Sequence, residues 1–210
     1  VSTTGFIRAQ QTMAESMPVV IASDQSAVSV SSTQLPTLVG TKLPVIGGAY
    51  VSTVSFNRPS NTTAYTALDV VGAADLVTPA NAGSAIHTFA NIGRSGGQIQ
   101  LTSADLTIAD TSILSGMTSF RLHLYMASPT AILDNAAFSA NSADRTNYRG
   151  FIELSISAVG GGFLYATSDY IGKHLGLTTA NLFGVLQTIG GYTPASGTAY
   201  QLILRSVELG

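Results

Sequence analysis

Apolar and polar residues alternate with a period of two along much of the chain after residue 48, which predicts strands rather than helices. In Phe120-Arg121-Leu122-His123-Leu124-Tyr125-Met126 the even positions are apolar and the odd ones amphipathic. Ile152-Glu153-Leu154-Ser155-Ile156-Ser157 again turns its even positions inward. Tyr200-Gln201-Leu202-Ile203-Leu204-Arg205 begins in alternation and then becomes apolar on both faces, as expected of a strand covered on both sides or lying in a subunit contact. Gln98-Ile99-Gln100-Leu101 places odd positions inward, whereas Leu106-Thr107-Ile108 uses even ones. A one-residue slip flips every side chain to the other face, so a bulge or break near Ser103 to Asp105 is required. Further strands are expected at Tyr50–Phe56, Thr66–Val71, Ile86–Ile92 and Leu182–Thr188.

Turn signals separate these runs: Asn57-Arg58-Pro59, Asn81-Ala82-Gly83, Gly93-Arg94-Ser95-Gly96-Gly97, Gly160-Gly161-Gly162 and Gly190-Gly191. Short helical turns are expected near Ala136–Asn141 and Ala143–Tyr148, and no sustained repeat is present. Eight or nine strands without a long helical pattern give an all-β fold, a β-sandwich of the jelly-roll kind, over residues 48–210.

Residues 1–47 read differently. They carry short apolar runs and prolines but no helical period, so they form an extended N-terminal arm, with Pro36, Pro44 and Gly47-Gly48 marking its end. Its most apolar stretch is Met17, Pro18, Val19, Val20 and Ile21. An exposed apolar run of this kind requires cover, so these five residues are the expected partner-binding positions. The arm then lies along a neighbouring subunit.

Composition supports an assembly. Of 210 residues 45% are hydrophobic and only 10% are charged, far below the usual quarter. A surface so poor in charge is weakly protected against association. Net charge is −2 and the nine basic residues are scattered, which gives no footprint for nucleic acid. There are no cysteines, hence no disulfides, thiolate zinc site or cysteine nucleophile. No run of 18 apolar residues predicts a membrane span. The first residues lack the basic and apolar regions of a signal peptide, and the missing initiator Met points to trimming or to a longer arm.

Candidate chemistry is weak. Gly93-Arg94-Ser95-Gly96-Gly97 fits the G-x-S-x-G elbow, but a strand pattern follows where the elbow requires a helix, so a glycine-rich hairpin loop is the better reading. His87, His123 and His174 share no ligand spacing, and no metal ligand is assigned. Asp105 with Asp110, or Asp134 with Asp144, are formally possible acid–base pairs, but their spacing across loops gives no test of separation, and Asp134-Asn135 and Asp144-Arg145 read better as turn-forming and loop-fixing pairs. Asp144, Arg145 and Arg149 are expected to form a loop ion-pair group. Asn61-Thr62-Thr63 is a formal glycosylation sequon without secretory context. The eight tyrosines are spread along the body and are expected to pack at strand edges with wet hydroxyls rather than gather into a sugar-binding surface. No cofactor and no enzymatic activity are expected.

The arm segment Thr12-Met13-Ala14-Glu15-Ser16-Met17-Pro18-Val19-Val20-Ile21-Ala22-Ser23-Asp24-Gln25 resembles one common in tailed-bacteriophage virion proteins. The likeness continues through Phe56-Asn57-Arg58-Pro59, Asp134-Asn135-Ala136-Ala137-Phe138, Tyr148-Arg149-Gly150-Phe151 and Gly191-Tyr192-Thr193-Pro194. The resemblance implies a β-sandwich body, often trimeric, held by an N-terminal arm at the outer capsid surface. Its implied role is capsid cement or decoration, with the major capsid protein and copies of itself as partners and no direct contact with nucleic acid or membrane. A tail or fibre adaptor, or a receptor-binding protein that contacts tail proteins or a host surface glycan, is the alternative. An envelope-degrading enzyme rests on Ser95 and scattered carboxylates alone.

Overall fold

The structure, a computed structural model, describes residues 48–73, 85–159 and 161–209. The expected arm, including Met17, Pro18, Val19, Val20 and Ile21, lies outside them. Ten antiparallel strands are present among the described residues: β1 (Ala49–Asn57), β2 (Val70–Val71), β3 (Ile86–Phe89), β4 (Gln98–Ile108), β5 (Ser119–Tyr125), β6 (Tyr148–Ser155), β7 (Ser157–Ala158), β8 (Leu164–Gly176), β9 (Leu182–Thr188) and β10 (Ala199–Leu209). They make two sheets, ordered β1-β10-β4-β8-β7 and β2-β9-β5-β6, with β3 also on β9.

Strands β2 and β3 occupy successive stretches of one edge of β9. Val70 and Val71 face Gln187 and Leu186, and Ile86 to Phe89 face Val185 to Leu182. Counting them as one strand, and setting aside the two-residue β7, leaves eight strands ordered 1-8-3-6 and 2-7-4-5. In this count only β5 and β6 follow each other within one sheet; every other step crosses to the opposite sheet. That order is a jelly roll, the fold expected from the alternation.

Alternation fills the space between the sheets. Ile99, Leu101, Leu106 and Ile108 of β4 and Leu202 and Leu204 of β10 are fully buried in one cluster with Phe120, Leu122 and Leu124 of β5 and Leu182 and Leu186 of β9. Gly184 leaves room for that contact: a Cβ there would lie 2.8 Å from Leu122 and 2.9 Å from Phe89.

One end of the sandwich is closed by a buried polar cluster. Arg58, 2% exposed, donates to the carbonyls of Asn61 (2.6 Å), Ala195 and Thr63, to the Asn61 amide oxygen (3.0 Å) and to the Tyr65 hydroxyl (3.3 Å). Its guanidinium lies 3.7 Å from the Asp134 carboxylate. Asp134 in turn accepts from Tyr65 Oη at 2.6 Å and from the Gly72 amide at 2.9 Å. Tyr192 and Tyr200 share a hydroxyl bond of 2.9 Å alongside. Burial raises the Tyr65 hydroxyl far above its usual range, with the Asp134 charge adding to it, and burial pushes Tyr200 up to about 12. Four loops are thus tied together by neutral phenols and one charge pair.

The expected strands Tyr50–Phe56, Leu182–Thr188 and Tyr200–Arg205 are found, extended by a few residues in β1 and β10. The β4 register does shift, at Thr102 between Leu101 and Ser103 rather than at Ser103 to Asp105. Thr66–Val71 is shorter than expected, because Leu68 takes a positive φ of 74° and the Asp69 side chain binds Thr66, leaving only Val70–Val71 as strand. No helix forms over Ala136–Asn141. That stretch pairs with the chain before β2 instead, through an Asp69–Ala137 bridge and a Phe138 amide bond to the Leu68 carbonyl. A single 3-10 turn, Ser142–Asp144, is what remains of the second expected helical turn.

Candidate interaction face

The outer faces of the two sheets differ. Odd residues of β5 and β9 point away from the core, yet His123, Tyr125 and Val185 are 5%, 2% and 1% exposed. The β5–β6 connection folds over them. Phe138 stacks on His123 with ring centroids 3.9 Å apart, and Ile132 and Leu133 pack on the Val70–Tyr125–Val185 cluster. The chain therefore covers this face itself.

The first sheet has no such cover among the described residues. Its register lays three rows of outward side chains across β1, β10, β4 and β8. They are Val51-Arg205-Ser103-Asp169, Thr53-Ile203-Asp105-Thr167 and Ser55-Gln201-Thr107-Tyr165. Five of the twelve are serine or threonine, short side chains with little rotamer entropy to lose, and Val51 is 61% exposed. Ile203, the residue that made its strand apolar on both faces, sits in the middle row.

Asp105 organises this face. It accepts from Tyr165 Oη (2.9 Å), Thr167 Oγ1 (2.8 Å) and Arg205, which also donates to Ser103 Oγ at 3.3 Å. Burial alone would raise the Asp105 carboxyl, but the bonds from Arg205, Thr167 and Tyr165 outweigh it and hold the group below its ordinary value. The Asp105 bond in turn raises Arg205. The result is a fixed, nearly neutral polar plate.

The plate ends at β1. Among the described residues β1 pairs with β10 alone. Its sequence Ala-Tyr-Val-Ser-Thr-Val-Ser-Phe-Asn contains no charge and no proline. Natural edge strands usually carry such guards against further pairing, so this edge is open to an added strand.

The other candidates from the sequence are not brought together. Ser95 lies in the β3–β4 turn, closed by the Gly97 amide on the Arg94 carbonyl, and its hydroxyl reaches the Thr178 carbonyl at 3.4 Å. Strand β4 starts at Gln98, so the strand–turn–helix context of a nucleophile elbow is absent. His123 bonds Tyr148 and Gln187, both at 3.0 Å, and is lowered by burial. His87 is buried against Phe56, with centroids 4.4 Å apart. No group of metal-holding side chains occurs among the described residues, and no described helix is long and apolar enough to cross a membrane.

Asp144, Arg145 and Arg149 do not form the expected ion-pair group. Asp144 accepts from the Thr130 amide and Arg149 donates to the carbonyls of Thr146 and Tyr148. In an exposed loop, unsatisfied backbone groups are nearer and outcompete a weak surface charge pair. Asp134 fixes a turn as expected, Asn135 having φ 61°, but its pairing with Arg58 was not legible from sequence. The tyrosines do not all keep wet hydroxyls at strand edges: Tyr65, Tyr192 and Tyr200 gather in the buried cluster with Arg58 and Asp134, Tyr125 is buried as well, and Tyr170 stands apart at 98% exposure.

Three solved viral structures are similar to the chain. The capsid of Ralstonia phage GP4 shares 17% identity over 83% of this chain and 94% of that one, with a TM-score of 0.36. Desmodium yellow mottle tymovirus shares 15% over 92% and 95%, with a TM-score of 0.27. A marine algae virus of the order Picornavirales shares 12% over 100% and 87%, with a TM-score of 0.25. At these values the fold assignment rests on the strand order, not on the overlays. No family model matches the chain, and no curated protein does.

Proposed function

We propose that the protein is a non-enzymatic structural subunit of a bacteriophage virion, a cement or decoration protein at the outer surface of the capsid. The observation that carries this reading is the uncovered outer face of the first sheet, bounded by the unguarded edge of β1. The low charge of the chain and the resemblance of residues 12–25 to phage virion arms support it. In this reading the body docks by the β1 side of its polar plate, leaving the Ser103–Asp169 end free, and packs with copies of itself as a homotrimer. The N-terminal arm runs over the major capsid protein, anchored by Met17, Pro18, Val19, Val20 and Ile21. An added strand gains backbone hydrogen bonds with little demand on sequence. Three linked arms turn weak contacts into firm retention. The work done is mechanical: neighbouring coat subunits are bridged against internal pressure.

The test keeps the chain at full length. Val19→Asp with Ile21→Asp places two charges where an apolar anchor is needed. Retention on purified capsids, measured by co-sedimentation, is expected to weaken by more than about tenfold, with an unchanged melting temperature of the free protein. Undiminished retention would contradict the arm's role.

A further inference from the structure

Strands β4 and β8 each depart from regular pairing at the same height. In β4 Thr102 is bulged between Leu101 and Ser103, and in β8 three residues, Tyr170, Ile171 and Gly172, lie between Asp169 (opposite Ser103) and Lys173 (opposite Leu101). The two irregularities leave an open depression of about 660 Å³, within the ordinary range of ligand sites, about 300–1,000 Å³.

Its walls have a definite chemistry. Gln100, Thr102, Ser103 and Asp169 line it with an amide, two hydroxyls and a carboxylate, together with Leu101, Tyr170 and Gly172. No lysine or arginine lines it. Ser103 is held in place by Arg205, which Asp105 fixes in turn. Tyr170 is 98% exposed and has φ 57°, a left-handed backbone that a bulky residue adopts only at a cost in strain. The strain gains no packing within the chain, since the ring is in solvent. It does hold an aromatic face beside a row of short polar groups.

We propose that this depression binds a neutral oligosaccharide, with Tyr170 as the stacking platform and Gln100, Ser103 and Asp169 as hydroxyl partners. A pyranose ring offers what the site lacks: an apolar C–H face for the ring of Tyr170 and several hydroxyls that both donate and accept. Asp169 accepts from a hydroxyl, and the Gln100 amide donates to one. The carboxylate and the absence of a lining cation select against acidic sugars. The site uses neither the arm residues nor the β1 edge, so its failure leaves the capsid reading standing and the reverse holds as well.

The test uses the full-length protein with maltohexaose, chitohexaose and a purified neutral O-antigen polysaccharide as probes, and polygalacturonate as the acidic control. Saturation-transfer NMR and calorimetric titration are expected to show saturable binding to at least one neutral probe and none to polygalacturonate. Tyr170→Ala is expected to weaken it by about tenfold, and Asp169→Asn to weaken it as well, both without loss of folding. Tyr170→Gly is expected to melt at a higher temperature, because glycine relieves the left-handed φ, and to bind as poorly as the Ala variant. Absence of binding to every neutral probe, or binding indifferent to Tyr170→Ala, would overturn the proposal. So would a Tyr170→Ala variant that changes the oligomer mass in light scattering and leaves sugar binding intact, which would make Tyr170 a subunit contact.

Discussion

Replacing Arg58 with Met is expected to destabilise the protein by about 3–5 kcal/mol, the range found when one partner of a buried charge pair is removed. The guanidinium and the Asp134 carboxylate are both almost wholly buried and 3.7 Å apart. At that depth the pair is not a stabilising surplus over apolar packing; its removal is costly because of what remains. Asp134 would keep its bonds to Tyr65 and Gly72 but lose the facing cation. The carbonyls of Asn61, Thr63 and Ala195 would lose a shared donor. Arg58→Lys retains the charge without the planar fork and cannot serve all these acceptors at once, so it should fall between wild type and Met. Urea unfolding measures both. A cycle with Asp134→Leu should show coupling, the double variant losing less than the two single losses added together. A loss below about 1 kcal/mol for Arg58→Met, the size of an exposed pair, would show that the cluster does not close this end of the sandwich.

Acid is the second large effect. His87 is 1% exposed, stacked on Phe56, with no partner for Nε2 among the described residues. Burial lowers it from 6.5 to about 4, and a bond to the Val71 backbone opposes this only weakly. The folded state therefore keeps His87 neutral while the unfolded chain takes up a proton near pH 6.5. The stability held by a neutral His87 is complete above that pH, falls as the pH drops through the interval, and is lost by about pH 4. The total is about 3 kcal/mol, from 1.36 kcal/mol for each pH unit between the two values. His123, also lowered by burial, acts in the same direction. Urea midpoints of wild type and His87→Leu, compared from pH 7 to pH 4, isolate the His87 part. The variant is expected to lose markedly less stability over that range. Parallel pH profiles would show that His87 does not carry the effect.

Period-two alternation made β1, β5, β9 and β10 legible, because each has one face in the core and the other turned away from it. The β4 bulge was legible for the same reason: Ile99 and Leu101 cannot share a face with Leu106 and Ile108 unless a residue is added between them. Strand β8 was missed although it is 13 residues long. Leu164-Tyr165-Ala166-Thr167 alternates, but the excursion at Tyr170 to Gly172 breaks the period, and Asp169 and Gly172 read as turn residues. Gly172, with its φ of 64°, was the signal that could have marked the excursion.

The outward residues of the second sheet were legible as outward, but not as covered. Cover comes from Ile132, Leu133 and Phe138, a connection whose local sequence favours turns and whose place is set by tertiary contacts with Leu68 to Val70. The Arg58–Asp134 pair spans 76 positions and obeys no local pattern. The plate around Asp105 depends on register across four strands, which no single strand reveals.

Copy number in purified virions decides whether the protein is a subunit of the capsid surface. Quantitative mass spectrometry against the major capsid protein gives the ratio. Many copies, in a fixed proportion to the coat lattice, are expected of a capsid-surface subunit. A handful of copies per particle, matching a tail or a single vertex, would contradict it and favour the adaptor or receptor-binding role.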